Sequence, residues 1–342
     1  MTLSEQPRLE LMSWPTPLIR ARRLEDRLGC GPLLIKRDDL SGFAVAGSKV
    51  RPLEFLLGRA LAGGFDTIVV GGVATSNFCQ AAAVAARVAA LDCHIVLPGQ
   101  PPPRPSANLA MALACGAQLS FSGGPREQLD ERIRQRAAEL NRSGRSALAV
   151  PRGGANPIGS LGFVRAAHEL CEQLAVHGHD QARIVLAVGS GASIAGLLVG
   201  ADALALRWTV TGVSVSRPQA AMAEHLHALI SACAGLLDRT RTAPAVPRLV
   251  QAPGGLHRAR GTSTADEKSA AMLALQSEGL VLDADYTGRA FPAALRALAE
   301  DGPPVVFWHT GGLPAAITDY LAADVHVSGA ATTRAQTLEG GP

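Results

Sequence analysis

Lysine is scarce in this chain, and where it is kept is informative. Only Lys36, Lys49 and Lys268 occur among 32 lysine and arginine residues. Lys268 falls in a charged, amphipathic segment and reads as a solvated side chain. Lys36 belongs to the run Lys36-Arg37-Asp38-Asp39, where pairing with a carboxylate is the plain expectation. Lys49 differs: it follows Gly47-Ser48 and opens a helix expected over residues 50–61. A sequence that uses arginine almost everywhere else, yet keeps an amine there, points to chemistry closed to arginine. Imine formation is such chemistry, because it needs an amine that can lose its proton.

Small and hydroxyl residues gather at three junctions between expected strands and helices. These are Gly71-Gly72-Val73-Ala74-Thr75-Ser76-Asn77, Gly189-Ser190-Gly191-Ala192-Ser193 and His309-Thr310-Gly311-Gly312. In open parallel sheets, ligands settle at the carboxyl ends of strands, where loops feed helix N-termini. The second junction would bring backbone N–H groups and a positive helix end to a phosphate; the alternative is a turn that merely packs a helix against a strand. A dinucleotide is disfavoured, since the glycine after Gly191 is Gly196 and the strand at 209–215 ends without an acidic residue. A P-loop is disfavoured as well, since Gly-Lys-Ser/Thr is absent. The pairs His177/His179 and His225/His227 read as solvated loop histidines. The six cysteines, at 30, 79, 93, 115, 171 and 233, form no close pairs. They suggest neither disulfides nor a zinc site, no metal is expected, and a reducing, cytoplasmic setting fits.

The elements that would position these groups follow from hydrophobic runs. Residues 67–70, 94–97, 184–188, 209–215 and 304–308 read as buried strands, and residues 78–90, 108–115, 127–140, 194–206 and 265–278 as helices. Strands apolar throughout, alternating with helices, imply parallel sheet covered on both faces. Residues 151–160, with three glycines, read as a loop crossing between two sheets, and residues 100–105 as a proline-rich turn. With 342 residues and 47% hydrophobic content, about two domains of ordinary size are expected. A net charge of +3 and 4% aromatic residues give no reason to expect nucleic acid. No run approaches a membrane helix, and residues 1–10 lack the features of a secretory signal. A small-molecule substrate is therefore the expected partner.

Gly47-Ser48-Lys49-Val50-Arg51-Pro52-Leu53-Glu54 resembles the Gly-Asn-Lys-x-Arg-Lys-Leu-Glu segment of the D-cysteine desulfhydrase and 1-aminocyclopropane-1-carboxylate deaminase family. These are pyridoxal-phosphate enzymes of fold type II, with the tryptophan-synthase-β-like fold. The similarity continues in order through Ser76-Asn77, the stretch from Gly153 to Gly159, the loop from Gly189 to Ser193, the stretch from Asp283 to Arg289, and His309-Thr310-Gly311-Gly312. It implies an α/β chain of two domains, each an open parallel-rich sheet covered by helices on both faces. Residues 1–50 and 160–330 would form the larger, cofactor-binding domain, residues 51–159 a smaller inserted one, and residues 331–342 a frayed tail. A homodimer is implied as well.

By the same resemblance, Lys49 would carry pyridoxal 5'-phosphate as an imine and then move the substrate proton. Asn77 would bond the cofactor's ring hydroxyl, and Gly189, Ser190, Gly191, Ala192 and Ser193 its phosphate. Tyr286 would lie against the ring and Thr310 at the pyridine nitrogen, with ordinary packing as the alternative for both. Lys49, Ser76 and Tyr286 form the implied catalytic set; Thr75, Ser76, Asn77, Phe78, Gly154 and Arg260 form the implied substrate set. Ring-opening deaminases of the family carry glutamate directly after the tyrosine, where this chain has Thr287, which favours β-elimination. The family's Gln-Ser-Asn-His-x-Arg reads here Thr75-Ser76-Asn77-Phe78-Cys79-Gln80, Ser48 replaces asparagine, and Arg260 falls where a second tyrosine is expected. These departures point to an altered substrate, bulkier or more acidic, meeting Phe78 and Arg260, with a surface position as the equal alternative for Arg260. Cys79 reads as a small buried hydrophobe more readily than as a reactive thiol. The implied activity is lyase chemistry on a small amino acid, with ring opening, β-replacement or an inactive cofactor-binding relative as alternatives.

Overall fold

The computed structural model describes residues 2–237, 247–255 and 261–322. The strands are β1 (Leu18–Arg20), β2 (Leu33–Arg37), β3 (Thr67–Gly71), β4 (Asp92–Leu97), β5 (Gln118–Phe121), β6 (Ala147–Ala149), β7 (Gln181–Val188), β8 (Arg207–Ser214), β9 (Arg248–Gln251) and β10 (Val305–His309). The helices are α1 (Arg22–Leu28), α2 (Val50–Ala62), α3 (Asn77–Val88), α4 (Ala107–Ala114), α5 (Leu129–Arg142), α6 (Pro157–Val176), α7 (Ala192–Ala203), α8 (Gln219–Leu236), α9 (Ala265–Glu278), α10 (Thr287–Leu298) and α11 (Leu313–Ala322).

Two sheets result. One has the order β1-β2-β10-β7-β8-β9, and the other β5-β4-β3-β6. Every pairing is parallel except that of β1 with β2. Helices cover both faces of each, because the strands are apolar on both sides. In β10, Val306 and Trp308 face the layer containing α6, α7 and α8, whereas Val305 and Phe307 face α1, α9 and α10. Trp308 packs on Phe163 at 5.9 Å between ring centroids, and Phe307 meets Phe291 edge-on at 4.9 Å. The smaller sheet lies between α2, α3 and α4 on one side and α5 on the other. This is the expected class of two parallel-rich sheets covered on both faces.

Some expectations change. The crossing loop is shorter than residues 151–160, because α6 already starts at Pro157. Asn156 caps it by accepting from Gly159 N at 2.8 Å, and proline at the first helical position has no N–H to satisfy. His225 and His227 are not in a loop but in α8, and His225 is half-buried. The pairing expected for Lys36 is present, but inside the fold: the run ends an interior strand, and the fully buried Lys36 pairs with the Glu169 carboxylate. The tail at residues 331–342 lies outside the described residues. Among those described, no helix is long and apolar enough to cross a membrane.

Candidate active site

A cleft of about 510 Å³ opens at the carboxyl ends of β3, β7, β8 and β10. Lys49, Ser76, Asn77 and Phe78 line it beside Gly189, Ser190, Gly191, Ser193, Tyr286 and Thr310. Both sheets thus supply lining residues, and the three glycine-bearing junctions meet at this cleft.

Lys49 sits in the tight turn Gly47–Lys49 that leads into α2. This turn is pressed on the end of β10, where Ser48 N donates to Thr310 O at 2.9 Å. Gly47 has φ of 56°, and a Cβ there would stand 2.3 Å from the same carbonyl, so no other residue fits. Half-buried Lys49 has no hydrogen-bond or ion-pair partner for its amine among the described residues. Burial holds its pKa below the ordinary lysine value. An amine easily deprotonated is what imine formation and proton transfer require.

Two residues on, Arg51 is locked in a buried quartet. It donates to Asp38 at 2.8 and 2.7 Å and to Glu169 Oε2 at 2.8 Å. Lys36 pairs with Glu169 and donates to Thr16 O at 2.7 Å, while Trp308 Nε1 donates to Asp38 at 2.7 Å. Burial opposes the charge on Arg51, but Asp38 and Glu169 overcome it and raise its pKa. Burial likewise opposes the Asp38 carboxylate, and Arg51 and Lys36 outweigh it. Two cations and two anions balance, and the lysine turn is anchored to α6, β2 and β10.

On the opposite wall Ser76 caps α3, its Oγ accepting from Cys79 N at 3.2 Å. The cap leaves the hydroxyl proton and the N–H groups of Asn77 and Phe78 available to an anion. Asn108 fixes Asn77, donating from Nδ2 to its Oδ1 at 2.9 Å, and also donates to Thr75 O at 2.9 Å. Asn77 therefore keeps its amide N–H groups for a ligand. Phe78 is buried, and Cys79 beside it has its thiol pushed up to about 12 by burial, against a weaker pull from Ser76. That thiol is an inert hydrophobe.

The loop from Gly189 to Ser193 forms a cup at the start of α7. Ser216 Oγ donates to Gly189 O at 2.5 Å, and His225 Nε2 donates to Ser190 O at 2.8 Å. Gly153, from the other side of the cleft, approaches so closely that a Cβ would stand 2.4 Å from Ser190 Oγ. Tyr286 lies over the same loop, since a Cβ at Gly189 would be 3.0 Å from its ring. Its backbone is held by the buried Asp283 carboxylate. Oδ1 accepts from Asp285 N and Tyr286 N at 2.9 and 2.7 Å, and Oδ2 accepts from Thr287 N and Oγ1 at 3.0 and 2.7 Å. Burial nevertheless outweighs these donors and holds the Asp283 pKa above the ordinary value.

Thr75, Gly154 and Ala192 support the cleft but do not line it. Gly154 lies behind Phe78, where a Cβ would meet the ring at 2.9 Å. Arg260 lies outside the described residues. Among the lining groups without a mark in the sequence are Asp130, Arg152 and Arg217, and His225, which reads there as a solvated loop histidine, lines the cleft too. Arg217 follows a strand end and precedes Pro218, so the topological rule of ligand sites could have flagged it. His225 carried no such signal, because only folding brings α8 against Ser190.

The profile of the pyridoxal-phosphate dependent enzyme family matches residues 9–311. A Pyrococcus abyssi protein provisionally named 1-aminocyclopropane-1-carboxylate deaminase is 34% identical over 318 residues, covering 91% of this chain and 93% of the relative. The D-cysteine desulfhydrase of Klebsiella pneumoniae is also 34% identical, over 335 residues, covering 92% and 96%. A crystal structure described as an ACC deaminase homologue superposes with a TM-score of 0.82 at 32% identity, covering 92% of this chain and 94% of the other.

Proposed function

The chain belongs to the pyridoxal-phosphate-dependent enzymes, and from that premise we propose that it removes the α-proton of a small amino acid and expels its β-substituent, as a D-cysteine desulfhydrase does. With one water consumed in hydrolysing the released enamine, the products would be an oxo acid, ammonia and a thiol-type leaving group. The residues present fit the cofactor. An amine without a carboxylate partner lines the same cleft as a loop of glycine and serine N–H groups, and an aromatic ring lies against that loop. Lys49, Asn77, the loop from Gly189 to Ser193, Tyr286 and Thr310 would hold pyridoxal phosphate. When bound, it supplies an electron sink that makes the substrate α-carbon acidic.

The protein's own groups would do the rest. Lys49, already inclined to lose its proton, takes the α-proton. Ser76 and the N–H groups opening α3 bind the substrate carboxylate. Thr310 would offer the pyridine nitrogen an uncharged hydroxyl, which suits elimination better than a carboxylate would. Phe78 closes the space around the substrate side chain.

The observation that supports elimination over ring opening is the state of Thr287. It carries no acid, it does not line the cleft, and its hydroxyl is committed to Asp283. The test is the absorption spectrum of the protein with pyridoxal phosphate, beside Lys49→Ala, followed by D- and L-cysteine and 1-aminocyclopropane-1-carboxylate. A visible band lost in the variant, with release of oxo acid and sulfide from one cysteine enantiomer, is the expected result. Consumption of the cyclopropane alone would replace elimination by ring opening, and no lysine-dependent band would sink the reading altogether.

A further inference from the structure

We propose that Arg217 is the charged anchor of the cofactor's phosphate, supplementing the backbone cup at Gly189 to Ser193. The inference rests on the phosphate placement proposed above. The segment carrying Arg217 clasps that cup from both sides. Ser214 Oγ donates to Arg217 O at 2.7 Å and shapes the turn after β8. Ser216 Oγ holds Gly189 O, and His225, one helical stretch later, holds Ser190 O. Arg217 therefore sits between two residues that each bond the cup.

Its side chain lines the cleft, and its Nη1 is buried without a hydrogen-bond partner. A guanidinium is permanently charged and only donates, so a buried nitrogen without an acceptor is costly unless an anion completes it. The neighbouring arginine is already committed. Arg152 donates to Asp130 Oδ2 at 2.9 and 2.8 Å and to Arg126 O at 3.1 Å. Asp130 is thereby engaged by Arg152 and forms no ion pair with Arg217. The cup itself offers a phosphate only neutral donors. Arg217 adds the full charge and forked geometry that suit a phosphate dianion.

The experiment compares binding of pyridoxal phosphate and of pyridoxal to the apo protein by fluorescence quenching, for wild type, Arg217→Gln and Arg217→Lys. Thermal melts establish that each variant is folded. Arg217→Gln is expected to weaken pyridoxal phosphate by about 10- to 100-fold, the scale of a charge-assisted bond, and to leave pyridoxal nearly unchanged. Arg217→Lys is expected to recover much of the difference, which also serves if the glutamine variant does not fold. Equal losses for both ligands would mean a structural role and overturn the proposal. An unaltered affinity for pyridoxal phosphate would overturn it too. So would a defect confined to kcat/KM for amino acids with anionic side chains, which would move Arg217 to the substrate. Failure of the wild type to discriminate pyridoxal phosphate from pyridoxal would instead remove the underlying placement of the phosphate.

Discussion

Lys49 stands in a cleft that burial makes hostile to its charge. The folded pKa lies below the unfolded one, so the folded state binds fewer protons than the unfolded state between those two values, and stability rises with pH there. At lower pH both states are charged and the full penalty remains. Lys49→Met is therefore expected to stabilise the apo protein at neutral and acidic pH. The gain should shrink as pH climbs through the folded value toward the ordinary lysine range. Chemical denaturation of the two proteins across that range measures it, and a pH-independent difference would contradict the account. Lys49 was legible in the sequence because its residue type is rare and its chemistry is unique. Lys36 is equally rare, but its burial depends on Glu169, 133 residues away in sequence, and no local pattern reports that distance.

At the scale of elements, the start of α10 depends on one carboxylate. Asp283 satisfies four donors, of which the two from Thr287 are buried, and it sets the backbone from which Tyr286 projects. Asp283→Ala is expected to cost about 1–3 kcal/mol and to weaken cofactor binding, because Tyr286 loses its mooring. Urea titration and pyridoxal-phosphate binding check both effects. Thr287→Val, which removes only one of the donors, should show a smaller loss of each. The elements found from sequence were the long apolar ones. The strands expected at 67–70, 94–97, 184–188, 209–215 and 304–308 correspond to β3, β4, β7, β8 and β10 with ends shifted by up to three residues. β1, β2, β5, β6 and β9 escaped notice. They are short, and three of them, β1, β2 and β9, begin or end with arginine, so hydrophobic periodicity has little to act on. Helix starts were misread where small residues open them, as at Ala192, since glycine-rich loop and first turn look alike.

Across the molecule, the quartet of Lys36, Asp38, Arg51 and Glu169, with Trp308 bonded to Asp38, ties α2, α6, β2 and β10 into one frame around the lysine turn. Removing one member leaves buried charge uncompensated. Arg51→Met is expected to destabilise the protein by about 3–5 kcal/mol. Replacing all four residues with apolar ones of similar volume should cost much less, as charge and countercharge leave together. Thermal or urea unfolding of both variants tests this, and equal losses would mean that packing rather than charge governs the site. Arg51 appeared in the sequence only as a motif position. Its role needed three separate chain segments brought together.

The strand order of the larger sheet has a consequence for the history of each molecule. β10 lies in the middle of that sheet, paired to β2 on one side and β7 on the other, yet it is among the last strands the ribosome makes. All four strands of the smaller sheet leave the ribosome long before it, so that sheet can form while β2 still waits for a neighbour. The reactive lysine waits as well, because its turn is braced on Thr310 at the end of β10. A nascent chain can thus carry every residue of the smaller sheet, and Lys49 itself, without a finished place for the cofactor. Synthesis times the moment at which the chemistry becomes available.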